Sequence, residues 1–180
     1  AIGIGVIVEI ITSVCFKFFD RFYNTIPFYT VGVIFFVFLF FFLYFHHLLE
    51  DKRLKKINRI IIGLFLLCYF LSFFLLKDFF TSFPFSMYFA EILLFTISIY
   101  LFLRQVFNSD KILTLRSYYP FWVSVGLLVI YLGVLPLLII SRSAREIMNL
   151  NVFYTLLFII NMIGYSILII GIFFAKNTAP

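Results

Sequence analysis

Twenty consecutive residues, Phe28 to His47 (FYTVGVIFFVFLFFFLYFHH), carry no acidic or basic side chain other than the two closing histidines. The seven beginning at Glu50 (EDKRLKK) then bring six charges. As a helix rising ~1.5 Å per residue, the first stretch reaches across the ~30 Å hydrocarbon core of a bilayer. The second stretch marks one face of that bilayer. The pair constrains the rest of the chain, because every later apolar segment must return to one side or the other.

Composition agrees. Hydrophobic residues make up 64% of the 180 and charged residues 12%, against roughly half and a quarter in soluble domains. Mean hydropathy is +1.16. There are 29 phenylalanines and five alanines, and the Phe runs are expected to face lipid. The net charge of +6 needs no nucleic-acid partner, because the Lys and Arg residues cluster at segment ends on one side. Cys15 and Cys68 lie within apolar segments, where free thiols are expected rather than a disulfide framework.

Six spans are expected: Ile2–Phe16, Phe28–His47, Asn58–Leu76, Ser86–Phe107, Pro120–Ile140 and Val152–Ala175. The fold class is therefore all-α, a polytopic transmembrane bundle forming one domain over 1–180 with no soluble domain. If a helix precedes Ala1, the full protein has seven spans. Alternating the six spans sorts the Lys and Arg residues into two sets. Lys52, Arg53, Lys55, Lys56, Arg59, Arg104, Lys111, Arg116 and Lys176 fall on one side, and Lys17, Arg21, Lys77, Arg142 and Arg145 on the other. The richer side, with loop 50–58 and the C-terminus, is expected to be cytoplasmic in a bacterial inner membrane. Trp122 with Tyr118 and Tyr119 forms an aromatic belt at the head-group level.

Intramembrane polar groups are costly and therefore the first candidates for function. Glu9 sits mid-span in the first segment, Glu91 in the fourth and Asn161 in the sixth. Glu91 shares a helix face with Ser98, and Asn161 with Gly164 and Tyr165. These groups are expected to point inward, since lipid offers no hydrogen-bond partner. Asn161, Tyr131 and Tyr165 are candidate partners for Glu9. Interhelical hydrogen bonding is the competing, purely structural role. Lys52, Arg53, Lys55 and Lys56 suit anionic lipid head groups. His46–Glu50 and His47–Asp51 are i, i+4 pairs, a spacing that can hold a metal on a helix, but the adjacent lysines repel a cation and no metal site is assigned.

Several chemistries lack their residues. No Lys lies mid-span for a Schiff base. The two histidines are adjacent and cannot provide axial haem ligands from facing helices. No nucleophile elbow, phosphate loop or cysteine cluster occurs. No catalytic residue and no cofactor are expected.

Four features carry a resemblance: Glu9 in the first span, Asn24 within YNTIPFY, the segment PFWVSVGLLVIYLG (Pro120 to Gly133), and Asn161 followed by Tyr165. In these the chain resembles small multi-pass inner-membrane proteins of Bacteroidetes-type bacteria, a group without an assigned activity that often accompanies sensor kinases. The resemblance implies a non-enzymatic membrane subunit in sensing, signal relay or complex assembly. Its partners would be membrane lipids and other membrane subunits or a sensor kinase. The alternative is a small transporter or lipid-handling enzyme built on an intramembrane Glu/Asn pocket.

The charge asymmetry makes a topology prediction. In a variant lacking the native cysteines, single cysteines placed in 50–58 should escape an impermeant maleimide applied to intact cells, and those in 141–151 should react. The opposite pattern would reverse the orientation.

Overall fold

The computed structural model describes residues 26–143 and 149–176, together with Ile10. Among these residues the regular structure is helical, without strands. Five helices are long and apolar enough to cross a membrane: α1 Ile26–Leu48, α2 Lys52–Leu75, α3 Phe85–Phe107, α4 Tyr119–Ser143 and α5 Leu150–Lys176. The expected six spans are thus not matched. The first of them, Ile2–Phe16 with Glu9, falls outside the described residues apart from Ile10.

The largest boundary correction concerns α2, which begins at Lys52 rather than Asn58. The charged segment is helix, and the connection from α1 is only Leu49 to Asp51. The Asp51 carboxylate caps the new helix by accepting the Arg53 N–H at 2.7 Å, satisfying one of the first-turn donors that have no intrahelical partner. Lys and Arg are good helix formers. The change from apolar to charged marks the edge of the membrane, not the end of the helix. α3 starts where a proline predicts, with the Pro84 carbonyl accepting the Tyr88 N–H at 3.0 Å.

Within α1, Tyr29–Val37 is wound as a π-helix between α-helical ends. This stretch, YTVGVIFFV, holds a glycine and five β-branched residues, Thr30, Val31, Val33, Ile34 and Val37, which support a regular α-helix weakly.

The chain divides into two compact units, residues 1–98 and 99–180. In the first, one face of α1 (Phe38, Phe41, Phe42, Phe45) is buried, as is the stripe Leu54, Asn58, Ile61, Phe65 and Tyr69 of α2. Phe95 of α3 sits among the α1 rings, with centroids 5.6, 5.5, 5.8 and 5.8 Å from Phe38, Phe41, Phe42 and Phe45. Such pairs contribute ~0.5–1.5 kcal/mol each beyond area burial. They matter here because lipid is as apolar as a side chain and gives helices no hydrophobic reason to associate. The Phe runs are therefore not simply lipid-facing. They divide by helical period: Phe38, Phe42 and Phe45 point in, while Phe36 and Phe40 point out. A second cluster joins Ile34, Tyr69 and Met87 to Phe79 of the α2–α3 connection.

In the second unit, α4 and α5 form an antiparallel hairpin in contact through glycines on both helices. A Cβ on Gly126 would lie 2.8 Å from Leu168 and 3.1 Å from the Gly164 carbonyl oxygen. One on Gly133 would lie 2.7 Å from Ile160, while Gly164 lies against Ile130 and Gly171 against Trp122. Both pairs, Gly126/Gly133 and Gly164/Gly171, are seven apart, two helical turns on one face. α4 runs on as helix past Pro136 to Ser143. At the hairpin's open end the Trp122 indole N–H donates to the Arg116 carbonyl at 3.0 Å. The Arg116 guanidinium lies 4.3 Å over the Phe174 ring, and the Lys111 ammonium 5.4 Å over Tyr118.

This packing makes opposite predictions for two glycines. Gly164→Leu forces α4 and α5 apart and should lower stability by ~1–3 kcal/mol, read as a lower midpoint in a detergent unfolding titration. Gly63→Ala, whose new Cβ meets nothing within 4 Å, should leave stability unchanged or raise it by up to ~1 kcal/mol. Equal effects would contradict the glycine-mediated hairpin.

Candidate functional site

Most polar groups inside the first unit lie along the inner faces of α2 and α3. Asn58 is 0% exposed although it belongs to the end of α2 that carries the basic cluster. Its amide N–H reaches the Phe42 carbonyl of α1 at 3.4 Å, and its carbonyl oxygen accepts the Ser98 hydroxyl of α3 at 2.6 Å. One side chain thus joins three helices. Its amide can donate to one neighbour and accept from another, and the Phe42 carbonyl has a lone pair beyond its intrahelical bond.

Glu91 lies two turns from Ser98 on the same helix, as the spacing indicated, and is 0% exposed. Neither carboxyl oxygen has a hydrogen-bond partner among the described residues. Tyr88 lies one turn before it on the same helix. Thr30, at the π-helical part of α1, is also fully buried with its hydroxyl unpartnered among the described residues. Enclosing an ionised carboxylate without a cation costs far more than enclosing the neutral acid.

The remaining candidates are placed separately. Asn161 is half-buried in α5, and its amide N–H donates to its own helix, to the Leu157 carbonyl at 2.8 Å. Tyr131 is half-buried in α4, whereas Tyr165 is 51% exposed and faces away from the α4 contact made by its neighbour Gly164. These three belong to the second unit, Glu91 to the first. Expectations about Glu9 lie outside the described residues.

The histidine–carboxylate spacing does not survive as helix geometry. α1 ends at Leu48 and Leu49 is extended (φ −68°, ψ 130°), so Glu50 and Asp51 are not one helical turn beyond His46 and His47. Asp51 is instead engaged at the start of α2. Among the described residues no group of three or more His, Cys, Asp or Glu is placed to hold a metal. Lys52, Arg53 and Lys56 are exposed and Lys55 half-buried.

A recess of about 210 Å³ lies at the α2–α3 connection, lined by Leu75, Lys77, Asp78, Phe79, Ser82 and Pro84 among others. It does not include Glu91, Asn58 or Ser98. Asn58, like Thr30, is a buried polar residue that the sequence pattern does not single out. The one signal for Asn58 is its place in the stripe Leu54, Asn58, Ile61, Phe65, Tyr69, whose spacing of three and four is that of a helix face.

Comparison with family models, curated proteins and solved structures finds no match to this chain.

The Asn58 bridge is measurable. In a double-mutant cycle, Asn58→Ala and Ser98→Ala should be non-additive, with a coupling of ~0.6–1.7 kcal/mol, the range found for hydrogen bonds between membrane helices. Additive effects would mean that the 2.6 Å contact contributes nothing to stability.

Proposed function

We propose that the chain is a non-enzymatic integral subunit of a bacterial inner membrane, acting in sensing, signal relay or assembly of a membrane complex. Its Lys52–Asn58 end and its C-terminus are on the cytoplasmic side. The observation that carries this reading is the Asn58 bridge: Asn58, Ser98 and the Phe42 carbonyl satisfy one another and hold three helices together, leaving none of the three turned toward a substrate. The charge asymmetry supports the orientation. The resemblance to small inner-membrane proteins that accompany sensor kinases supports the signalling role and a partner among other membrane subunits.

One observation favours the alternative of a small transporter or lipid-handling enzyme. Glu91 is enclosed with both oxygens unpartnered among the described residues, as a proton- or cation-exchanging carboxyl would be between turnovers.

The two readings separate on one substitution. Glu91→Gln retains the shape and hydrogen-bonding capacity of a neutral carboxyl. In vesicles reconstituted with the purified chain, wild type and Glu91→Gln should show the same background proton flux. A photo-crosslinking residue at Phe158 or Met162, both exposed on α5, should give a discrete adduct with another membrane protein in native membranes. Flux in wild type that disappears in Glu91→Gln, with lipid adducts only, would replace the subunit reading with the transporter.

A further inference from the structure

The end of α2 opposite the basic segment leads into a connection, Leu76 to Pro84, that carries two charges of opposite sign, Lys77 and Asp78. Both line the recess of about 210 Å³ at this connection. They do not pair with each other, and among the described residues Lys77 has no hydrogen-bond or ion-pair partner.

The connection is fixed from within. The Asp78 carbonyl accepts the Thr81 N–H at 3.1 Å, the Ser82 N–H at 2.9 Å and the Ser82 hydroxyl at 3.1 Å. One carboxylate oxygen of Asp78 accepts the Thr81 hydroxyl at 3.4 Å, and the other has no partner among the described residues. Phe79, next in the chain, is buried against Tyr69 and Phe73, with centroids 5.5 and 5.8 Å away. A ligand therefore meets a turn already in place, which lowers the entropy cost of binding.

The recess is smaller than the ~300 Å³ at which sites for drug-sized ligands begin, so it suits a small group. Leu75, Leu76 and Pro84 give it an apolar wall. Its two charges cancel. A simple anion is attracted by Lys77 and opposed by Asp78, and a simple cation meets the reverse. A group with an ammonium and an anion a few atoms apart satisfies both. Its ammonium N–H groups donate to a carboxylate, and its phosphate accepts from a lysine.

We propose that this recess binds a phosphoethanolamine group, with its ammonium on the Asp78 carboxylate and its phosphate on the Lys77 ammonium. The group is available free or as the head of phosphatidylethanolamine. Phe74 and Leu75, 77% and 74% exposed in the last turn of α2, offer the lipid form a surface for its acyl chains. The site does not depend on the functional reading above and holds for a subunit or a transporter alike.

Native mass spectrometry of the detergent-purified full chain tests the site. Wild type should retain phosphatidylethanolamine in preference to phosphatidylcholine, whose ammonium has no N–H, and to phosphatidylglycerol, which has no ammonium. Lys77→Gln should weaken that retention about fivefold, the usual contribution of one lysine at an anionic group. Asp78→Asn should weaken it at least as much. Asp78→Asn keeps an oxygen for the Thr81 hydroxyl, so the unfolding midpoint should stay the same. Should that midpoint fall, Lys77→Gln carries the test, since the Lys77 side chain has no partner to lose. Lys52→Gln, at the other end of α2, should change nothing. Millimolar phosphoethanolamine identifies the source. Binding that weakens in both variants supports the site with a soluble ligand, and retention of the lipid alone supports it with a head group. Three results would overturn the proposal: equal retention of the three lipids without binding of phosphoethanolamine, full retention in both Lys77→Gln and Asp78→Asn, or equal loss in Lys52→Gln.

Discussion

Hydrocarbon offers this chain neither hydrogen-bond partners nor a reason for its helices to meet. Water supplies both to a soluble protein. Here every interior polar atom must find its partner within the protein, and helices associate only where their surfaces fit. The two units meet this demand differently. Residues 1–98 use large rings, with Phe95 set among four phenylalanines of α1, plus one amide that joins three helices. The α4–α5 hairpin uses the absence of side chains, bringing backbone to backbone at Gly126 and Gly164.

Against that background Asn58 and Glu91 are opposites. Asn58 is short, neutral and bipolar, and its neighbours use both ends of its amide. Glu91 is longer and ionisable, equally enclosed, and its two oxygens are unpartnered among the described residues. The first adds rigidity at a cost the bonds offset. The second keeps a polar group in a place where hydrocarbon would be more stable, and such a group is the one whose replacement separates structure from function.

The sequence made the membrane class and four of the five described helices legible to within a few residues, because uncharged runs of this length have no other stable setting. The start of α2 was misplaced because hydropathy reports the membrane edge, while Asp51 and the Lys and Arg residues after it report the helix. Which phenylalanines face inward was illegible for a different reason. When nearly every position is apolar, the helical period has no contrast. The exceptions were polar residues. Glu91 with Ser98 indicated an inner face. Asn58 was overlooked because its neighbours are charged and it read as part of their surface. The histidine–carboxylate pairs failed because spacing implies proximity only while the helix lasts, and α1 stops at Leu48.

The glycine hairpin has a bearing on what the chain presents to its membrane. Pro136 leaves one carbonyl of α4 without its helical donor, and Asn161 brings an amide into α5. Taken singly, α4 would present that carbonyl to lipid, while in α5 the Asn161 amide N–H is already taken up by the Leu157 carbonyl. Close-fitting glycine faces let each of α4 and α5 cover part of the other, so the pair exposes less surface to lipid than two separate helices would.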